Sequence, residues 1–414
     1  MRRRSTVAAI DIGSTKVAVV VGDIGETGET RILGVGVAPA AGLSRGVIDN
    51  IQSAREAIAI AVEKAEQACG MRILSAVVGI SGSHISSQNN RGIVAIPDRT
   101  RPISTDDRAR VLEAAGQIAI PTNRQVIHVV PRAYWVEGTD PVSDPVGMYG
   151  SRLDAEVHIV SGAVSAIQNL TKCVEGAGVQ VDDIILESLA SAESVLTEQE
   201  KQQGVALVDI GGSTTSIAVF DEGAVAHTAC LPIAGSHLTA DLARVLRCPW
   251  ESAETTKCTV GAAYADPTMA NETVEVQVFG TQSTKHVPLH HICDILHARV
   301  DEILEMVGLE IKRIGYLDRI AAGLVLTGGT ALLRGLPQVA EDRLQLPARL
   351  GHPHGYTGLS DLIGTPAFAT SIGLVRYALA NRERPGETIT AAYENRSRSL
   401  LDRILDIGRS LIPQ

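Results

Sequence analysis

The feature that most constrains this chain is a sentence it spells twice. Ala8 to Val21 reads as an apolar strand, Asp11, Ile12, Gly13, a small polar turn of Ser14 and Thr15, then Lys16 and a second apolar strand. Ala206 to Phe220 repeats the pattern with Asp209, Ile210, Gly211, Gly212, Ser213 and Thr214. Asp209 follows Asp11 by 198 positions, about half of the 414-residue chain. Two copies of one strand–turn–strand unit at that spacing predict two related domains facing each other. Aliphatic runs between glycines, with only 3 % aromatic residues, suit an α/β fold. The length allows two or three compact cores.

Around these turns the pattern predicts further strands at Arg31–Ala38 and Ser75–Ile80, and a helix at Ile51–Cys69 that Gly70 ends. From Asn90 to about Gly162 the texture changes, with more Pro, Arg and Asp. A helix near Asp106–Gln117 and strands at Gln125–Val130 and Glu156–Val160 are expected there, as a small inserted subdomain. Helices follow at Ala163–Ala177, Ser188–Glu198, Thr239–Leu246 and Ile292–Val307, then a strand at Gly323–Leu326 and a closing helix near Ala367–Leu379. The boundaries expected are 1–85 with 163–202 for the first domain and 86–162 for the insertion. The second domain takes 203–235 and 316–381 and carries a subdomain at 236–315. A polar linker at 382–398, with Pro385-Gly386, precedes an amphipathic segment at 399–414.

A formal net charge of −10 argues against a general nucleic-acid binder, which needs a basic face to replace counterions. Six scattered cysteines form no CxxC pair, which fits buried thiols in a reducing cytosol. His290, Cys293 and His297 share a helix face, but no fourth metal ligand accompanies them. The apolar run after Met1-Arg2-Arg3-Arg4 is broken by Asp11 and Lys16, so no signal peptide is expected, and no run approaches a membrane span of about 20 residues. A cytoplasmic protein is the expectation, unless a segment outside the core attaches it to a surface.

Each Asp-Ile-Gly turn sets a carboxylate at the end of a buried strand and offers successive backbone N–H groups, an arrangement that cradles phosphates. One such turn is also what an ordinary hairpin contains. Two, with a third turn at Thr327-Gly328-Gly329-Thr330, predict ATP held by both turns, with Asp11 and Asp209 reaching a hydrated magnesium ion mostly through water. Gly328 and Gly329 would let a purine lie over bare backbone. Glu254 and Lys257, one helical turn apart, fit contacts to ribose, base or phosphate, or equally a surface ion pair.

With these motifs the chain resembles the actin superfamily, and within it the FtsA cell-division family over nearly its whole length. Matching stretches include Ile127 to Pro131, Asp144 to Met148, Arg152-Leu153, Leu186 to Ala192, Ala253-Glu254 with Lys257, Val325 to Gly329 and Pro366 to Thr370. The resemblance implies an actin-like two-domain fold with an FtsA-type inserted subdomain. It implies that Ser14, Thr15 and Lys16 hold phosphate from one side and Gly212, Ser213 and Thr214 from the other. Gly235 would lie near the nucleotide and Glu187 would orient the attacking water of a slow ATPase. Ala234 departs from the family's usual Gly-Gly pair, adding a methyl group near the expected pocket.

The last residues supply a separate reading. On a helical wheel Leu400, Leu401, Ile404, Leu405, Ile407, Leu411 and Ile412 fill an arc of about 160°. After a polar linker this reads as an interfacial membrane anchor, or else as a helix docked on the protein's own core. The resemblance further implies a polymer at the cytoplasmic face of the cell membrane that binds the FtsZ C-terminal tail through 236–315 and recruits later division proteins. Arg299 is the expected contact for that acidic tail, or else a solvated helix charge. The rival readings are a type IV pilus assembly adaptor and a small-molecule kinase of the same superfamily. A kinase would need an acceptor pocket and a base, for which no second signature is evident.

Overall fold

The computed structural model describes residues 6–25, 28–44, 46–266, 271–280, 284–383 and 389–390. Both copies of the repeat are hairpins in which every residue of the first strand is buried, Val7–Ile12 and Val205–Ile210. The pairing registers are the same. Asp11 lies opposite Ala18 in one and Asp209 opposite Ser216 in the other. Each hairpin extends through an antiparallel third strand on one side and parallel strands on the other. The strand order Thr30–Pro39, Lys16–Ile24, Val7–Ile12, Ser75–Ile80, Gln180–Leu186 is matched by Ala224–Leu231, Thr215–Asp221, Val205–Ile210, Leu324–Thr327, Ala348–Leu350. The predicted duplication is thus a duplication of sheet topology, extended in the first sheet by the short strand Tyr356–Thr357.

Two helices cross between the sheets, Glu187–Val195 and Ala369–Glu383. They approach so closely at Gly373 that a Cβ there would stand 1.8 Å from the Ala190 carbonyl oxygen. The closing helix starts at Ala369, after a 3₁₀ turn at Pro366–Phe368. The single helix expected at Ser188–Glu198 is two, broken at Leu196 and restarted by a capping box between Thr197 and Glu200.

The insertion is an antiparallel sheet of Ser86–Ala95, Arg152–Ala163 and Arg124–Val136 with the helix Thr105–Gly116 on it. Its two long strands outrun their predicted bounds. Ser86–Ala95 has no apolar alternation to announce it, because it is an edge strand with mostly polar, exposed residues. Among the described residues, the subdomain after Gly235 holds the α-helices Gly235–Leu246, Trp250–Val260 and Leu289–Arg313, and the hairpin Thr273–Gln277 with Thr284–Pro288. Within the expected linker, Ile389 and Thr390 pair with Val129 and His128, continuing the inserted sheet. A sheet edge with unpaired backbone groups accepts an extended segment of almost any composition, which is why polarity read as a free linker. The amphipathic segment 399–414 lies outside the described residues. Among those described, no helix is long and apolar enough to cross a membrane, and all six cysteines are unbridged, with Cys258 exposed.

Candidate functional site

The two turns close alike. Gly13 N–H donates to the Lys16 carbonyl at 3.0 Å, and Gly211 N–H donates to the Thr214 carbonyl at 3.0 Å. Their tips touch. A Cβ on Gly212 would lie 2.6 Å from Thr15 Cγ2 and 2.7 Å from Ser14 Oγ, so both turns form one continuous rim.

Below the rim, the crossing helices pin the carboxylates. Ser371 Oγ donates to Asp11 at 2.6 Å. Ser191 Oγ and Thr370 Oγ1 donate to Asp209 at 2.7 and 3.1 Å. Gly328, at φ +88°, leaves room for Asp209, whose Oδ1 would stand 2.4 Å from a Cβ at that position. Glu187 opens its helix beside them. Burial, then the charges of Asp11 and Asp209, push its carboxyl well above the ordinary range. Burial raises Asp11 and Asp209 as well, and lowers Lys16 against the pull of both aspartates. Three carboxyl groups thus share one cleft with one ammonium.

Lys16, expected to hold phosphate, rests against the closing helix's approach. Its Nζ donates to the Ala367 carbonyl at 2.5 Å and stands 3.2 Å from the centre of the Phe368 ring. Reaching a phosphate requires it to leave that carbonyl. Among the described residues, no three His, Cys, Asp or Glu side chains form a metal-ligand group, which covers His290, Cys293 and His297. Two aspartates holding a hydrated ion through water need no such group. The surplus negative charge around Asp11, Asp209 and Glu187 suits a divalent cation brought in by a nucleotide.

A cavity of about 280 Å³ opens on the far side of the second turn, lined by Lys257, Gly261, Gly329, Thr330, Leu333 and Arg334 among others. Of the two expected glycines, only Gly329 faces it. A Cβ there would meet nothing closer than Ala367 Cβ at 3.9 Å, whereas Gly328 serves Asp209. Thr330 Oγ1 donates to the Gly211 carbonyl at 2.7 Å, joining this turn to the second phosphate turn. Gly235 N–H also donates to that carbonyl, at 3.2 Å.

Glu254 and Lys257 do form an ion pair, at 2.8 Å. It is no isolated surface pair, because Lys257 Nζ also donates to Thr239 Oγ1 at 2.9 Å and to the Gly235 carbonyl at 3.2 Å. Burial alone would raise the Glu254 carboxyl, but hydrogen bonds from Lys257 and Thr239 hold it below its usual range. The Ala234 methyl, where the family has Gly-Gly, packs into the second domain's core and lines neither cavity. Arg299 makes a two-pronged pair with Asp241, at 2.6 and 3.1 Å, and bonds Glu302 as well.

The turns, the Gly329 wall and Glu187 are thus brought together, while Arg299 sits apart on the helix Leu289–Arg313. Sequence reading missed Ser371, Thr370 and Ser191, which hold the aspartates, and His84 and Ser81, which line the cleft beside Glu187. Ser191 and Thr370 lie in stretches that carry the resemblance, but nothing local assigns either to Asp209, 18 and 161 positions away, or Ser371 to Asp11, 360 positions away.

A family profile described as "Cell division protein FtsA" matches residues 206–373, and one described as "SHS2 domain inserted in FTSA" matches 82–161. The chain is 44 % identical over 373 residues to the cell division protein FtsA of Pseudomonas aeruginosa, covering 90 % of this chain and 89 % of that one. It is 36 % identical to the Bacillus subtilis protein of that name, covering 94 % and 87 %, and 34 % identical to that of Escherichia coli K12, covering 90 % of each. Among solved structures, the type IV pilus biogenesis complex PilM-PilN aligns at TM-score 0.63 and 16 % identity, covering 91 % of this chain and 99 % of that one. MreB5 of Spiroplasma citri bound to ADP aligns at TM-score 0.55 and 14 % identity, covering 92 % and 98 %. These structural likenesses show an actin-like fold.

Proposed function

Given that the chain belongs to the FtsA family of bacterial cell-division proteins, we propose that it is an ATP-binding, polymerising adaptor that anchors the FtsZ ring to the cytoplasmic membrane. The observation that carries the nucleotide part is the pair of turns, closed by equivalent hydrogen bonds and meeting in one rim between two buried aspartates. Triphosphate oxygens would take N–H groups at the tips of the turns, Ser14 and Thr15 on one side and Gly212 to Thr214 on the other, since the Gly13 and Gly211 N–H groups close the turns themselves. The adenosine would enter the cavity beside Gly329, with Lys257 and Glu254 at its edge. Magnesium, when bound, would supply charge neutralisation at the phosphates, with Asp11 and Asp209 fixing its water shell. Glu187, whose carboxyl burial and the neighbouring aspartates raise well above the ordinary range, would orient a water molecule and give at most a slow ATPase. The structural neighbours captured with ADP and AMPPNP support this reading by fold.

The partner reading follows the family. The subdomain 236–315 would take the FtsZ C-terminal tail, the described body would contact further copies of itself, and the segment 399–414 would lie in the lipid interface. Arg299 would have to exchange Asp241 for a carboxylate of the tail. Identities of 34–44 % to division proteins, against 16 % to the pilus adaptor complex, favour the division partner over the pilus one.

The test is co-sedimentation with FtsZ polymers, with and without the FtsZ tail, in parallel with calorimetry of ATP and magnesium. Tail-dependent sedimentation and saturable ATP binding are expected. Binding to tail-less FtsZ, or to a pilus inner-membrane peptide instead, would overturn the partner assignment. Absence of ATP binding would overturn the nucleotide assignment.

A further inference from the structure

Beside the phosphate turns lies a second, small polar cavity whose lining the nucleotide reading only partly uses. It measures about 40 Å³ and is walled by Gly13 and Ser14 of the first turn, Ser213 of the second, and Glu187, Ser81 and His84. That volume holds water or a phosphate oxygen. Both ring nitrogens of His84 and the hydroxyl of Ser213 are buried, and none has a hydrogen-bond partner. Buried polar atoms without partners are rare in folded proteins. Three of them on one cavity mark a place built for a polar guest.

The ring of His84 is held there by backbone. Gly82 has φ +136°, and a Cβ on it would stand 2.8 Å from His84 Nδ1 and 3.0 Å from the Gly46 carbonyl oxygen. Only glycine lets the imidazole lie so close to its own turn. The adjoining Ser81 Oγ is 2.9 Å from Ser216 Oγ on the second domain's hairpin. The shelf that carries His84 is therefore tied across the cleft. Burial, then the positive charge of Arg124, holds the imidazole below its ordinary range. At neutral pH it offers one N–H donor and one lone pair.

We propose that His84 is a nucleotide-discriminating residue: with Ser213 it takes the terminal phosphate of a bound triphosphate, so that the site tells ATP from ADP. This rests on the nucleotide reading above. A diphosphate ends at the rim of the two turns and leaves the His84 and Ser213 donors unpartnered. The third phosphate extends past the rim toward Glu187 and satisfies them. The imidazole's other nitrogen then shares the cavity with Glu187 and completes its hydrogen bonding through a water molecule there.

The experiment compares AMPPNP and ADP, each with magnesium, by calorimetry on the full chain and on His84→Ala, His84→Asn and Ser213→Ala. The parent should bind the triphosphate analogue more tightly. His84→Ala should weaken AMPPNP about tenfold or more, the scale of one hydrogen bond to a charged group, and ADP less than twofold. His84→Asn, which keeps a donor, should recover part of the loss, and Ser213→Ala should show the same selective weakening. Equal losses for both nucleotides, or none for either, would overturn the proposal while leaving ATP binding intact. A parent that binds neither nucleotide would sink the nucleotide reading itself. If His84→Ala does not fold, the milder Asn and Ser213 variants carry the same comparison.

Discussion

At the scale of single residues, the two glycines of the third turn have separate tasks. Gly328 makes way for Asp209, and Gly329 faces the larger cavity with open space above it. A bulky side chain at Gly329 therefore fills the purine site without disturbing the fold. Gly329→Trp should abolish measurable ATP binding in calorimetry while the melting temperature stays within about 2 °C of the parent. Unchanged ATP affinity would remove the adenosine assignment. Glu187 makes a prediction of different sign. Its carboxyl is raised in the folded chain, so its contribution to stability is fully present below its unfolded value and is lost as pH rises through the folded one. Glu187→Gln should thus raise the melting temperature at neutral pH, by about 2–4 °C per kcal/mol gained, and not at pH 4. The same variant should slow phosphate release about a hundredfold with ATP still bound, as expected when a positioned water loses its guide. Equal rates would refute that role.

At the scale of elements, two junctions hold the domains in place. The crossing of Glu187–Val195 with Ala369–Glu383 depends on Gly373, which has no room for a methyl group. Gly373→Val should cost about 3 kcal/mol or more by overpacking, read as a lowered urea midpoint. The second junction joins the inserted sheet to the strand Ala224–Leu231. His158 there bridges Asn89 Oδ1 at 2.7 Å and Thr228 Oγ1 at 3.0 Å, while the Ser87 hydroxyl and the Asn89 amide reach carbonyls of that strand. Nearby His128 accepts from the Leu186 N–H at 2.9 Å. Burial pushes His158 down to about 3 and His128 down to about 4. For a depressed imidazole the stabilisation is present above the unfolded value of 6.5 and is lost as pH falls toward the folded one. Between pH 6.5 and 4.5 each should cost about 2 kcal/mol. His158→Gln should show a shallower acid loss than the parent; superimposable curves would refute the assignment.

At the scale of the whole molecule, the expected membrane anchor depends on assembly. Partial burial of seven large apolar side chains, at roughly 1 kcal/mol each, gives about 7 kcal/mol before the cost of ordering a tail at a surface. One tail should hold weakly, and a polymer carrying many should hold firmly, since each later tail binds at high effective concentration. The strand at Ile389–Thr390 shortens the leash. The sequence then has eight positions, 391–398, between that strand and the amphipathic segment, at most roughly 27 Å if extended, against roughly 55 Å for all of 382–398. In liposome co-sedimentation the intact protein should pellet with lipid, more so under polymerising conditions with ATP. A chain ending at Asn395 and the Ile404→Glu variant should stay in solution. Sedimentation of the truncated chain to the same extent would refute the anchor.

Asp11 and Asp209, the glycines after them and their half-chain spacing were legible in the sequence, because a strand–turn–strand unit is local and its repetition needs no knowledge of contacts. From that came the two-domain fold, and the texture change near Asn90 pointed to an inserted subdomain. What the tertiary structure decided are relations between distant segments. The hydroxyls of Ser191, Thr370 and Ser371 hold the aspartates only because two helices from different halves cross at Gly373. His84 stands beside Glu187 only because two parallel strands, Ser75–Ile80 and Gln180–Leu186, are neighbours in one sheet. Lys16 lies on Ala367, and Arg299 on Asp241, because a charged group takes the nearest counter-charge or carbonyl that folding brings to it. A sequence records which groups are available; chain topology fixes which of them meet.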